Sequence, residues 1–251
     1  MSNDSSFFTN EPGATLADRF GDFLKDTEIF EALVGYFYSS GFHAIYPSLE
    51  DTDQIRILIG ISTSKETFNL INQGNQAIQD EVISDAQTKE RVGERIEAEM
   101  ADSEDSKEVE NGVQTFVEWI KSGKLVIKAH KSQNIHAKLY IMTFKKGDRD
   151  KGRVITGSSN FTRSGLIDKL EFNVELKDSS DYDFAKNKFD ELWKDAVDVS
   201  EKYVDTIEHK TWFSEKITPY QLYLKFLYEY FKSELNQADE VVLPDTPDGF
   251  L

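Results

Sequence analysis

Ile135-His136-Ala137-Lys138-Leu139-Tyr140-Ile141-Met142 is the stretch whose reading decides the fold. It reads as a strand, and a strand turns successive side chains to opposite faces, so His136, Lys138 and Tyr140 share one side. A nucleophilic imidazole and a cation two residues apart therefore point the same way. Downstream, Gly157-Ser158-Ser159-Asn160-Phe161-Thr162 follows a second short strand and reads as a turn carrying neutral hydrogen-bond donors. Glu175, on a further strand, can hold the imidazole. This is equipment for attack on a phosphodiester without a metal.

Outward from this stretch, further strands are predicted at 55–60, 124–129, 153–157 and 171–177, with 136–144 carrying the histidine. Leu16, Phe20, Phe23 and Leu24 keep helical spacing from Thr15, and the helix is predicted to end near Leu33, where Val34-Gly35-Tyr36-Phe37-Tyr38 reads as a buried strand. A helix toward Leu49, one over about 182–203 and a last one after Pro219 complete the pattern. Strands alternating with helices predict an α/β fold, a mixed β-sheet flanked by helices. Residues 1–14 read as a flexible leader, 15–205 as the main domain, 206–240 as a helical appendage and 241–251 as a linker. Within the main domain, about 65–120 reads as an exposed, acidic helical insertion.

The chain has 251 residues and a formal net charge of −17, with 39% apolar residues and no cysteine. Disulfides and thiolate metal sites are thereby excluded, and the composition fits a reducing cytoplasm. No apolar run reaches the roughly 18 residues of a membrane-spanning helix, and the N-terminus lacks a secretory pattern. The net charge argues against nucleic acid, but its distribution does not. Between Lys121 and Arg153 there are ten basic and two acidic residues; between Asp80 and Glu110 there are twelve acidic and four basic. Lys128, Lys131, Lys145, Lys146 and Arg163 are therefore candidate DNA contacts. A solvated polar face is the competing reading of each. His43, His130 and His209 show no metal-ligand spacing, and neither a metal nor another cofactor is expected.

The ordered set His-x-Lys on a strand, Gly-Ser-x-Asn after a second strand and a Glu beyond resembles the phospholipase D superfamily. It is similar in particular to the nuclease branch found in bacterial endonucleases and in N-terminal modules of helicases. Val34-Gly35-Tyr36-Phe37 with Ser40-Gly41, and Ile57-Leu58-Ile59-Gly60, resemble the first half of that fold. The likeness covers roughly residues 15–205. It implies His136 as the nucleophile that forms a phosphohistidine, Lys138 as the cation on the phosphate oxygens, Asn160 and Ser158 as hydrogen-bond donors, and Glu175 as the acid that fixes the imidazole. The usual Asp five residues after the Lys is replaced by Thr143. Members need two His-Lys segments around one phosphate, and this sequence carries one. The resemblance thus implies a homodimer that completes the site.

The tail, Leu243-Pro244 with Gly249-Phe250-Leu251, resembles the junction before the first ATP-binding motif of superfamily 2 helicases, which implies a helicase domain beyond it. No Gly-x-x-x-x-Gly-Lys-Ser/Thr occurs in the chain itself. The leading expectation is a metal-independent endonuclease acting on DNA, the nuclease module of a helicase or of a restriction or phage-defence protein. Two other readings stand beside it. One is a non-catalytic nucleic-acid-binding or dimerisation module; the other is a phosphatidyl-transferring enzyme, disfavoured by the lack of an amphipathic membrane-binding segment.

Overall fold

The computed structural model describes residues 6–35, 37–60, 84–101, 107–131, 135–148, 150–214 and 219–235. Among them are eight strands: β1 (Phe7–Thr9), β2 (Thr27–Val34), β3 (Gln54–Gly60), β4 (Leu125–His130), β5 (Lys138–Phe144), β6 (Gly152–Gly157), β7 (Phe172–Leu176) and β8 (Val197–Asp198). They form one mixed sheet in the order β1-β7-β6-β5-β2-β3-β4-β8. β2, β3 and β4 run parallel, and the remaining neighbours pair antiparallel. The chain is α/β, as the strand–helix alternation predicts.

Parallel strands need both faces covered, and the sequence supplies that. On one face lie α1 (Leu16–Phe23), α2 (Ser39–Ile45), α3 (Asp85–Ala101), α4 (Lys107–Lys121) and α6 (Ser200–Lys210), around Phe20, Phe30, Phe42, Phe116, Tyr140 and Phe161. On the other face α5 (Ser179–Lys194) buries Tyr182, Ala185 and Phe189 against Leu33, Leu58, Ile141 and Val154. Alternate residues of β5 thus belong to different cores, Tyr140 and Met142 to the first and Ile141 to the second. Beneath α5, buried Glu31 is held by Arg56 and Lys186, and both cations also reach Asp190.

Several sequence expectations change. The helix expected to run to Leu33 stops at Phe23, and Thr27–Val34 is a central strand. Its residues are buried on both faces, and that burial overrides the helical spacing upstream. The described part of the leader is tied down. Phe7–Thr9 pairs with β7, and the Asn10 amide donates to Gly165 O at 2.7 Å while its Oδ1 accepts from Leu16 N at 2.9 Å. The described parts of the acidic stretch are not an exposed insertion. Val92, Ile96 and Met100 in α3, and Val113, Phe116, Val117 and Ile120 in α4, enter the core.

The expected helix over 182–203 is two helices, α5 and α6, separated by β8. α6 belongs to the core through Tyr203 and Ile207, so the boundary falls after Phe213 rather than at 206. The second unit, Ser214–Leu251, contributes α7 (Pro219–Leu235). The linker at 241–251 lies outside the described residues.

Candidate active site

β2, β3 and β4 end together, at Val34, Gly60 and His130, and β5 begins beside them, since Lys138 pairs with Val34. Loops outside the carboxyl ends of parallel strands are where open α/β sheets place their sites. The segment carrying His136 crosses this end of the sheet at close range. A Cβ built on Gly60 would stand 2.4 Å from Ile135 O, so only glycine admits the crossing there. Gly35 N donates to Ala137 O at 3.1 Å, and His136 Nδ1 lies 3.8 Å from where a Gly35 Cβ would be. His136 is exposed and Lys138 half-buried, and the Lys138 ammonium donates to His136 O at 3.1 Å.

The turn after β6 comes alongside. Leu139 pairs with Thr156, and Thr156 Oγ1 donates to Lys138 O at 2.9 Å, so the same register sets Gly157 opposite Lys138. Buried Ser159 anchors the turn, its carbonyl accepting from the Tyr140 phenol at 2.9 Å and its Oγ from the Asn173 amide at 2.9 Å. Burial and the nearby Glu171 charge raise the Tyr140 pKa well above its ordinary value, which keeps that phenol a donor. Asn160 follows directly, its Oδ1 buried without a hydrogen-bond partner among the described residues. Ser158 is exposed, and its hydroxyl donates to the Glu171 carboxylate and accepts from Phe172 N at 3.0 Å.

Glu175 stands elsewhere. β7 pairs Gly157 with Asn173 and Ile155 with Glu175, and β5 pairs Ile155 with Tyr140. Glu175 therefore belongs to the row of Tyr140, four residues or about 13 Å along the sheet from the row of His136, at 3.4 Å per residue. Its carboxylate is 2% exposed and bound by Arg19 at 2.8 Å and Arg153 at 3.4 Å. The acid in the His136 row is Glu171, which sequence reading missed. Period two gives Glu171, Asn173 and Glu175 one common face, and only the strand register tells which of them meets the histidine.

The candidate DNA contacts also separate. Lys145 and Lys146 sit in the β5–β6 hairpin at the opposite end of the sheet, seven residues or about 24 Å from Lys138. Lys128 faces α5, its ammonium 4.8 Å from the centre of the Trp193 ring and donating to Trp193 O at 3.2 Å. Lys131 lies at the site end of β4 and pairs with Asp85 at 2.7 Å. Arg163 is exposed three residues beyond Asn160, with Asp168 at 3.8 Å.

Thr143 explains its departure from the family pattern. It points to the α5 face, away from His136, and shares a 2.8 Å hydrogen bond with the Tyr182 phenol. Thr143→Val is expected to cost about 1 kcal/mol of stability, the worth of a typical buried hydrogen bond, with turnover per folded molecule unchanged. Urea denaturation and active-site-normalised rates check this. A tenfold loss of rate would show that the α5 face acts on the site.

Residues 42–193 match the family described as cardiolipin synthase, phospholipase D-like domain. No curated protein sequence matches significantly. Among solved structures, the chain is similar to the phospholipase D family member Nuc from Salmonella typhimurium, with 14% identity, a TM-score of 0.40 and coverage of 76% of this chain and 95% of that one. It is similar to NucT from Helicobacter pylori, with 12% identity, a TM-score of 0.42 and coverage of 77% and 97%. It is also similar to phosphatidylserine synthase from Haemophilus influenzae Rd KW20, with 14% identity, a TM-score of 0.47 and coverage of 92% and 46%. Among the described residues no helix is long and apolar enough to cross a membrane, and no three His, Asp or Glu side chains are grouped to hold a metal ion. With the family match spanning more than half of its length, the chain belongs to the phospholipase D superfamily, whose members act on phosphodiester bonds.

Proposed function

We propose that this protein hydrolyses phosphodiester bonds in DNA through a phosphohistidine on His136. The observation that carries the reading is the gathering of His136, Lys138, the Ser158–Asn160 turn and Glu171 at one end of the sheet, with His136 exposed. His136 attacks phosphorus, the 3′ or 5′ oxygen leaves with a proton, and water then displaces the histidine. Lys138 and the Asn160 amide stabilise the charge that builds on the non-bridging oxygens. Glu171, steadied by Ser158, accepts the second imidazole N–H and fixes the tautomer, the part that an acid plays beside any catalytic histidine.

One chain supplies one His-Lys segment, so the leaving-group acid comes from the His136 of a second copy across a two-fold axis. Sedimentation velocity is expected to give a dimer, and a strict monomer would leave the site half-built. A helicase domain following this module is the context that the tail resemblance supports. The family description favours phosphatidyl transfer as the second reading, tested with vesicles containing phosphatidylglycerol and a labelled alcohol.

Cleavage of plasmid and oligonucleotide is expected to persist in excess EDTA, because side chains of the protein supply both the nucleophile and the stabilisation of charge on the phosphate oxygens. Rates are compared with and without chelator. Activity that requires added Mg²⁺ would overturn the mechanism, because metal would then be supplying the Lewis acid. DNA binding without any cleavage would favour the non-catalytic reading.

A further inference from the structure

The segments that follow Gly35 and Asn160 in the chain border a cavity that this mechanism does not use. Phe37 bridges Phe161, Tyr38 N donates to Phe161 O at 3.0 Å, and Arg163 N donates to Ser40 Oγ at 3.4 Å. Helix α2 is pressed against the turn, since a Cβ on Gly41 would stand 2.5 Å from Phe161 O. The two segments that carry Gly35 under His136, and Asn160, therefore run side by side out of the site. Between them opens a cavity of about 580 Å³ with Tyr38, Ser40, His43, Glu99, Thr162 and Arg163 in its wall. That volume lies within the range of roughly 300 to 1,000 Å³ typical of small-molecule sites.

The lining combines an aromatic ring, neutral polar groups and cations with two carboxylates, Glu99 and Asp168. Tyr38 is a half-exposed aromatic ring at the end nearest Gly35, 36% accessible. Polar groups follow: Ser40, Thr162, and His43, whose Nε2 is buried without a hydrogen-bond partner among the described residues. Burial lowers the His43 pKa to about 4, so its imidazole is neutral and able to donate and accept. Arg163 and Lys169 add cations at the rim, beside Asp168. An aromatic face, neutral hydrogen-bonding groups and a rim cation are what a nucleotide's base, its edge and its phosphate respectively require.

We propose that this cavity is a nucleotide subsite that takes the base next to the scissile phosphate, stacked on Tyr38, with Arg163 on the following phosphate. The proposal rests on the reading of the protein as a nuclease and deepens it by naming the substrate as an unpaired strand. A base enters a concave pocket only when it is unstacked and unpaired. In a duplex it must first be flipped out, at a cost of a few kcal/mol by general experience with base-flipping enzymes. A single strand supplies such a base freely.

The experiment compares a fluorescent single-stranded 12-mer, the same sequence as a duplex, and bis(p-nitrophenyl) phosphate, a small diester without a base. For Tyr38→Ala, the ratio of kcat/KM on the single strand to that on the small diester is expected to fall about tenfold, in line with the worth of one base–aromatic stack. Tyr38→Phe, which keeps the ring, is expected to restore most of it. The wild-type protein is expected to cut the single strand at least tenfold faster than the duplex. An unchanged ratio in Tyr38→Ala, or a duplex cut as fast as the single strand, overturns the subsite.

Binding separates this failure from failure of the nuclease reading. If neither oligonucleotide nor small diester is cut, the hydrolytic mechanism falls. The subsite is then read from fluorescence anisotropy of the same 12-mer, whose Kd is expected to rise about tenfold in Tyr38→Ala and to recover in Tyr38→Phe. Equal Kd values for the three proteins overturn the subsite independently of catalysis.

Discussion

Glu171→Gln is expected to lower kcat at least a hundredfold while leaving the fold intact, whereas Glu175→Gln is expected to unfold the protein more readily and leave the folded molecules active. His136→Ala sets the scale, with a loss of at least a thousandfold, because removal of the proposed covalent nucleophile leaves only binding and electrostatic stabilisation. Glu171 is exposed enough to be neutralised cheaply, and Gln keeps an acceptor for Ser158, so what is lost is the charge beside the imidazolium. Glu175 is a different kind of carboxylate. It is buried between Arg19 and Arg153, and neutralising it removes the buried charge that both guanidinium groups face. Breaking such a buried pair costs about 3 to 5 kcal/mol. Circular dichroism melts and single-turnover rates on the three variants separate the effects. Loss of turnover in well-folded Glu175→Gln, with Glu171→Gln still active, would return the orienting role to Glu175.

Those two glutamates show where sequence reading stops. The local pattern around His136 was legible, because period two in a strand is a property of the backbone alone. Strands β3 to β7 were legible within a residue or two for the same reason. Register was not: it depends on which residues of two distant segments face each other, and Glu171 and Glu175 share every local property that a sequence displays. The hairpin lysines show the same limit. Lys138 and Lys145 are close in the chain but lie at opposite ends of an extended strand, so a cluster of charge in sequence became two separate surfaces. The stretch 27–33 is a strand because partners on both faces, α1 and α5, bury it, and no window of seven residues contains them.

The acidic stretch between Asp80 and Glu110 is, in its described parts, held in the core by its few apolar residues. Its acid content suggested solvent, yet Val92, Ile96 and Met100 recur every fourth residue and suffice to seat α3 in the core. Seating the helix carries Glu99 to the start of α2, where its carboxylate accepts hydrogen bonds from the Ser39 backbone N–H and from Ser39 Oγ at 2.6 Å. Burial raises its pKa from 4.5 to about 7, against the lowering effect of the hydrogen bonds from Ser39 and Ser40 and of the Arg95 charge. His43, in the wall of the same cavity, is shifted the other way by burial, from 6.5 to about 4.

The two shifts have opposite signs in stability. Glu99 binds its proton more tightly when folded, so its contribution is complete below pH 4.5 and is lost as pH rises through about 7. His43 binds its proton less tightly when folded, so its contribution is complete above pH 6.5 and is lost as pH falls toward 4. Between those limits they largely cancel, and the wild-type protein draws little net pH dependence from the pair. Glu99→Gln keeps the oxygen that Ser39 binds and removes the charge. Relative to wild type it is expected to gain about 2 to 3 kcal/mol between pH 4.5 and pH 8, from a shift worth about 1.4 kcal/mol per unit and reduced for partial exposure. Its own stability should then rise with pH from 4 to 6.5, where the uncompensated His43 titrates. Urea midpoints of both proteins at pH 4.5, 5.5, 6.5 and 8 give the difference directly, and groups common to both cancel from it. A difference that stays constant across this range would mean that Glu99 is an ordinary carboxylate and that α3 does not hold it against α2.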